Sequence, residues 1–155
     1  MSARRHRNKA VTDFEAARLF LLFENEIYRV LKNTPKEHNF DLKQQMKDSL
    51  GFMKRTFAKS LKLIPYDKHT WEAKRDMMND AYSECGVVMM ILGQLNDLGT
   101  ISDKTKARLD VSLAELEINF ANLLSTFAKK TGDSVNGSDV EGCAPCGEPE
   151  DNKDA

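Results

Sequence analysis

Hydrophobic residues recur every three or four positions along most of this chain, which is the period of an α-helix packed on one face. The stretch that follows Asp41 shows the pattern well, with apolar residues four, four, three, four, four and three positions apart. This stripe consists of Leu42, Met46, Leu50, Met53, Phe57, Leu61 and Ile64. The spacing predicts a helix with one buried face, and no segment shows the two-residue period of a β-strand.

Two later stretches carry a heptad-like seam and predict two further helices. In the stretch from Trp71 to about Leu98, the seam is formed by Met78, Ala81, Cys85, Val88, Leu92 and Leu95. In the stretch from Ser102 to about Thr131, it is formed by Leu109, Leu113, Leu116, Phe120, Leu123 and Phe127.

The first helix is predicted to begin at Thr12 and to run to about Lys32. Thr12 and Glu15 fit a capping box, in which each side chain accepts a hydrogen bond from a free backbone N–H. The five consecutive apolar residues at positions 19–23 cover more than one face of such a helix. Part of the run is therefore expected to meet another subunit. The predicted oligomer interface consists of Leu19, Phe20 and Phe23.

Residues typical of helix ends separate these segments. Pro35 and Pro65 end the first and second helices, because the residue before a proline disfavours the helical conformation. Thr70 and Ser102 are the predicted N-caps of the third and fourth helices, and Gly99 follows the end of the third.

Gly86 and Gly93 lie inside the third predicted helix, where each costs about 1 kcal/mol relative to alanine. They are seven residues apart and share one face. Two interpretations remain open: a neighbouring helix approaches closely there, or the packing is loose.

The four segments predict an all-α fold, an antiparallel up-down-up-down four-helix bundle over residues 12–131. Residues 1–11 form a basic arm, and residues 132–155 form an acidic tail rich in glycine and proline. Both have too few apolar residues to offset the entropy of ordering, so both are predicted to be disordered.

The formal net charge of −1 hides a division between the bundle and the tail. The tail has seven acidic residues and one lysine, which leaves residues 1–131 with 22 basic and 17 acidic residues and a net charge of +5. The second helix concentrates this basic charge. Its candidate contacts to a nucleic-acid phosphate backbone are Lys43, Lys47, Lys54, Arg55, Lys59 and Lys62. An ordinary solvated helix face is the alternative, and the acidic tail could also fold over this face.

The chain carries no motif typical of catalysis or metal binding, and neither an enzyme nor a cofactor is predicted. None of His6, His38 and His69 has a glutamate three residues upstream, so the di-metal signature of helix bundles is missing. Cys143 and Cys146 form a C-x-x-C pair, but a structural zinc needs four ligands and no second pair exists. An incidental dithiol is favoured over a metal or redox role.

A cytoplasmic location is predicted. The longest apolar run, at residues 87–92, has six residues, far below the length of a membrane span, and no signal-peptide pattern follows the basic N-terminus. The three cysteines are then expected to be reduced.

The segment PKEHNFDLKQQ at residues 35–45 is similar to the P-K-E-x-x-F-x-L-x-x-Q motif of ribosomal-RNA intervening-sequence proteins, a family of four-helix bundles. The similarity continues more loosely through Leu95, Leu98 and Gly99. The uninterrupted basic helix after the motif resembles the related accessory variability determinant of diversity-generating retroelements. The resemblance implies a basic bundle that assembles into a ring, usually a pentamer, and binds a reverse transcriptase and nucleic acid without chemistry of its own.

Two functions follow as hypotheses. The first is a non-catalytic, oligomeric accessory protein that binds RNA or DNA through phosphate contacts. The alternative is a structural bundle with no role in nucleic-acid binding, whose protein partner docks on the apolar side of the first helix.

Overall fold

The computed structural model describes residues 13–131, which form four α-helices. The helices are α1 (Asp13–Lys32), α2 (Phe40–Lys62), α3 (Lys68–Asp97) and α4 (Asp103–Thr131). No strand occurs within these residues, so the all-α prediction is confirmed. The predicted arm and tail, the Thr12 half of the capping box and the Cys143–Cys146 pair lie outside the described residues.

The helices pack as an antiparallel bundle in which each contacts the next along the chain and α4 also contacts α1. At one end, Lys74 near the start of α3 donates to the carbonyl of Ser60 near the end of α2 and pairs with Asp13 at the start of α1. At the other end, the amide of Asn39 donates to the hydroxyl of Thr100, which joins the two turns there. The up-down-up-down prediction therefore holds.

The predicted seams of α3 and α4 are buried along their whole length, and both predictions are confirmed. From α2, the core takes Met46, Leu50, Met53 and Phe57, and the Phe57 ring lies 5.2 Å from that of Phe120. Leu42 and Leu61 are half-buried against this core. Ile64 is exposed because α2 ends at Lys62, before the predicted stripe does.

In the apolar run of α1, the residues that face the core are not those that the prediction left there. Phe20 and Phe23 are each only 2% exposed and belong to the bundle's own core, so assigning them to an oligomer interface is wrong. Leu19 is half-buried against the core, whereas Leu21 and Leu22 are about half exposed. Consecutive apolar residues left the inward direction of the helix ambiguous.

The helix ends agree with the sequence in part. Ser102 accepts a hydrogen bond from the Thr105 N–H, and Gly99 has a φ of 79° just past the end of α3, as predicted. The cap of α3, however, is Asp67, whose carboxylate accepts from the Thr70 N–H at 2.9 Å. The prediction of Thr70 as the cap is wrong because the helix begins two residues before it.

Gly86 and Gly93 face open space, since a Cβ built on either would meet no atom of another element within 4 Å. The interpretation in which a neighbouring helix of the same chain approaches closely there is therefore wrong. None of the four helices is long and apolar enough to cross a membrane, within the part of the chain that the structure describes.

Candidate functional site

The exposed side of α2 carries four of the six predicted cations. Lys47, Arg55 and Lys62 recur eight and seven residues apart, so they follow one side of the helix over about 22 Å at 1.5 Å per residue. Lys59 is exposed beside them. Within residues 13–131 none of these four has an acidic partner. These four residues, Lys47, Arg55, Lys59 and Lys62, are called the basic side of α2 below.

Lys43 is buried and does not belong to that surface. Its side chain is 6% exposed, and its ammonium donates a hydrogen bond to the Pro35 carbonyl in the turn between α1 and α2. The expectation that it offers its charge to a phosphate is wrong, because the turn supplies an internal acceptor for the ammonium.

Lys54 is half exposed, but its charge is shared with α1. Its ammonium lies 3.1 Å from Oε2 of Glu24, whose side chain is almost fully buried. That oxygen has no hydrogen-bond partner of good geometry, so the contact is an ion pair. Lys54 therefore compensates a buried carboxylate and contributes less free positive charge than its sequence suggests.

A cavity of about 480 Å³ opens between the end of α1 and the start of α2. This size lies within the range of ligand-binding pockets. Its walls are contributed by the last turn of α1, by the connecting turn and by the first two turns of α2. The lining residues are Tyr28, Leu31, Lys32, Thr34, Lys36, Phe40, Lys43, Gln44 and Lys47. This site is called the α1–α2 cavity below.

The α1–α2 cavity has a strongly basic lining. Four of its nine lining residues are lysines, and no acidic residue lines it among those that the structure describes. Lys32, Lys36 and Lys47 are exposed and have no ion pair within residues 13–131. The end of α1 and the start of α2 meet here, so their opposed helix dipoles largely offset each other and the lysines set the local potential.

The turn that forms one wall is held by several hydrogen bonds. Thr34 Oγ1 donates to the Leu31 carbonyl at 2.7 Å, and the Lys43 ammonium donates to the Pro35 carbonyl. Asn39 has the left-handed φ of 54° that asparagine tolerates, which frees its side chain to bond Thr100. The cavity wall is thus fixed by the protein's own contacts before any ligand binds.

Two aromatic side chains face this basic site. Phe40 is 56% exposed and Tyr28 is 37% exposed, although both are large enough to favour burial. Partial burial raises the pKa of Tyr28, and the neighbouring Glu24 adds to the rise while Lys54 opposes it. The phenol is therefore neutral at neutral pH and provides an uncharged ring and a hydroxyl donor.

Sequence reasoning found Lys43 and Lys47 but missed Lys32, Lys36, Tyr28 and Phe40. The lysine-rich sequence of α2 predicts the first pair. Tyr28 and Lys32 lie in α1 and Lys36 lies in a turn, whereas Phe40 is the first residue of α2. No periodic pattern joins these four residues. The signal available was the turn itself, where Lys32, Lys36 and Phe40 stand within nine residues.

Other groups offer less chemistry. The thiol of Cys85 is buried, and burial, with help from Glu117 and Glu84, raises its pKa to about 12. No group of three His, Cys, Asp or Glu side chains in residues 13–131 is placed to hold a metal ion.

Comparisons with known proteins identify no relative of this chain. No protein-family model matches this chain, and neither the curated proteins nor the solved structures give a match. The functional argument therefore starts from the side chains of the cavity and of α2.

Proposed function

We propose that this protein binds nucleic acid without catalysing a reaction on it, and that the α1–α2 cavity and the basic side of α2 hold the phosphate backbone. One observation carries the proposal. Lys32, Lys36 and Lys47 converge on a cavity that no described acidic residue lines, and Arg55 and Lys62 continue the same charge along α2.

Free cations are what phosphate binding requires. Each lysine or arginine that neutralises a phosphate releases condensed counterions, which makes the affinity strongly dependent on salt. Such contacts position the nucleic acid but do not read its bases, so little sequence preference is expected.

Two resemblances support the same function: that of residues 35–45 to intervening-sequence proteins, and that of the uninterrupted basic helix after them to the accessory variability determinant. Four residues of this segment, Lys36, Phe40, Lys43 and Gln44, line the cavity. On this basis we include in the proposal a homo-oligomeric, pentameric assembly and a reverse transcriptase as protein partner. The accessory role would then be to hold RNA or DNA beside that enzyme.

The test is a charge reversal on the basic side of α2. In the full chain, Lys47→Glu/Arg55→Glu should weaken binding of a labelled structured RNA by about tenfold or more at low salt, because two phosphate contacts become repulsive. Lys104→Glu/Lys129→Glu makes the same charge change on α4, at two exposed positions, and should bind nearly as the parent does. Lys54 is left unchanged because its replacement would leave the buried carboxylate of Glu24 without a compensating positive charge.

Equal losses in the two double variants would mean that only net charge matters and would contradict the assignment to α2. The absence of RNA binding by the parent at low salt would contradict the function itself. Thermal melts of each variant establish that a loss of binding is not a loss of fold.

A protein-binding role is the second candidate, and exposed apolar residues on α3 favour it. Val87, Met89 and Met90 are 43%, 52% and 70% exposed. A Met89→Lys/Met90→Lys variant should then lose association with a protein partner while RNA binding is unchanged. Light scattering gives the mass of the assembly for the parent and for the variant.

A further inference from the structure

The α1–α2 cavity combines cations with exposed aromatic rings, and this combination is more specific than a basic surface. Exposed charge alone would suffice for a phosphate backbone. Phe40 and Tyr28 add two ring faces at the same place, and Phe40 remains more than half exposed at the first position of α2. Neither ring is needed for phosphate contacts. The two rings therefore indicate a ligand that has a flat apolar part.

We propose that the α1–α2 cavity binds one unpaired nucleotide, with its base against the rings of Phe40 and Tyr28 and its phosphates among Lys32, Lys36 and Lys47. This inference rests on the proposed nucleic-acid binding and narrows it to single-stranded segments or ends. A base within a duplex is stacked on its neighbours and cannot enter such a cavity, whereas an unpaired base can stack on an aromatic side chain.

The lining supplies a partner for each part of a nucleotide. The aromatic rings match the π-face of any base, the lysine ammonium groups match the phosphate, and the Gln44 amide and Thr34 hydroxyl offer polar groups for the sugar or the base edge. Glu37 and Asp41, the acids nearest in the sequence, do not line the cavity. Within residues 13–131, no carboxylate that lines the cavity would therefore repel a phosphate.

Lys43 acts differently from the other three lysines. Its ammonium is committed to the Pro35 carbonyl, so it holds the turn that carries Lys36 close to α2 and is a positioning residue. The Asn39–Thr100 bond fixes the same turn from the side of α3 and α4. A wall that is rigid before binding loses little entropy when a ligand arrives.

The experiment compares a labelled single-stranded oligonucleotide with a blunt duplex of the same length, using the full chain. Phe40→Ala should weaken single-strand binding by about 5- to 140-fold, the effect of losing one base-stacking contact. It should leave duplex binding within about twofold, because the lysines remain. Tyr66→Ala removes an aromatic residue that is 84% exposed at the opposite end of the bundle, and it should change neither affinity.

Phe40→Trp keeps a stacking ring and provides a direct signal of contact. It should bind single strands at least as well as the parent, and its added fluorescence, relative to the Trp71 signal of the parent, should be quenched by the oligonucleotide. A nucleoside monophosphate that quenches it and displaces the oligonucleotide would show that the cavity takes a free nucleotide. Quenching by the oligonucleotide alone would show that it takes a nucleotide within a strand.

Three results would overturn the inference while leaving nucleic-acid binding intact. One is an equal effect of Phe40→Ala on single strand and duplex, and another is no effect on either. The third is equal quenching of Phe40→Trp by a poly-glutamate peptide, which would make the cavity a site for acidic protein. Failure of the parent to bind either strand would instead overturn the proposed function as well.

Discussion

The ammonium of Lys54 on α2 lies 3.1 Å from the buried carboxylate of Glu24 on α1. The two helices contact each other less extensively than any other neighbouring pair, so this ion pair is one of the few links between them. Because of this ion pair, Lys54 stabilises the fold, whereas the exposed lysines without an acidic partner remain available to a ligand.

Removing that ammonium should destabilise the bundle. Lys54→Met leaves Glu24 buried without compensation and should lower the free energy of unfolding by about 1–3 kcal/mol. Glu24→Gln in the same chain should recover most of the loss, because a neutral amide costs less to bury. Urea denaturation of both single variants and the double variant gives the coupling energy. If the two effects simply add, the ion pair does not act as described.

The two glycines inside α3 and the glycine just past its end should respond to alanine in opposite directions. Gly86→Ala and Gly93→Ala place a methyl group in open space within a helix, so each should stabilise the protein by about 0.5–1 kcal/mol. Gly99→Ala should destabilise it by about 1–2 kcal/mol, because φ is 79° at that position. Thermal melts measure all three. A lower melting temperature for Gly86→Ala would mean that this face is packed in the folded protein.

The Asp67 cap should make part of the stability depend on pH. Hydrogen bonds from the Thr70 N–H and hydroxyl hold the pKa of this carboxyl below its ordinary 3.8. A lowered folded-state pKa stabilises the fold above 3.8, and the contribution is lost as the pH falls through the folded value. Asp67→Ala should therefore lower the melting temperature more at pH 7 than at pH 3. Asp67→Asn keeps a hydrogen-bond acceptor and should lower the melting temperature at pH 7 by less. An Asp67→Ala variant whose melting temperature falls equally at pH 7 and pH 3 would refute the assignment.

Cys85 should be unreactive in the folded protein. With a pKa of about 12, on the order of one thiol in ten thousand is ionised at pH 8, and the side chain is fully buried. In a Cys143→Ser/Cys146→Ser chain, mass spectrometry should find Cys85 unmodified by iodoacetamide under native conditions and modified in urea. Labelling at similar rates in both conditions would show that α3 opens readily.

The sequence was sufficient for the fold because the seams of α3 and α4 are regular. Leu109 to Phe127 and Met78 to Leu95 keep a strict three-four spacing, so only one side of each helix can face a core. In α1 five apolar residues stand together, and only packing decides that Phe20 and Phe23 point inward while Leu21 and Leu22 do not.

The charged residues were harder to place, because a lysine can satisfy its ammonium inside a fold. Lys74 is 4% exposed; its ammonium donates to the Ser60 carbonyl at 2.6 Å and lies 5.6 Å from the centre of the Phe127 ring. The Lys43 ammonium likewise donates a hydrogen bond to a backbone carbonyl, that of Pro35. The acceptors are carbonyls at helix ends and in turns, and their positions depend on tertiary packing. The α1–α2 cavity likewise depends on the angle between two helices, which no local pattern specifies.

The salt dependence of RNA affinity tests the central claim most directly. If Lys32, Lys36, Lys47, Arg55, Lys59 and Lys62 each neutralise one phosphate, the logarithm of the association constant for a single strand should fall with log salt at a slope of about −4.2. Lys47→Ala/Arg55→Ala should reduce the magnitude of that slope by about 1.4. A slope near zero, or one that this double variant leaves unchanged, would contradict binding through these residues.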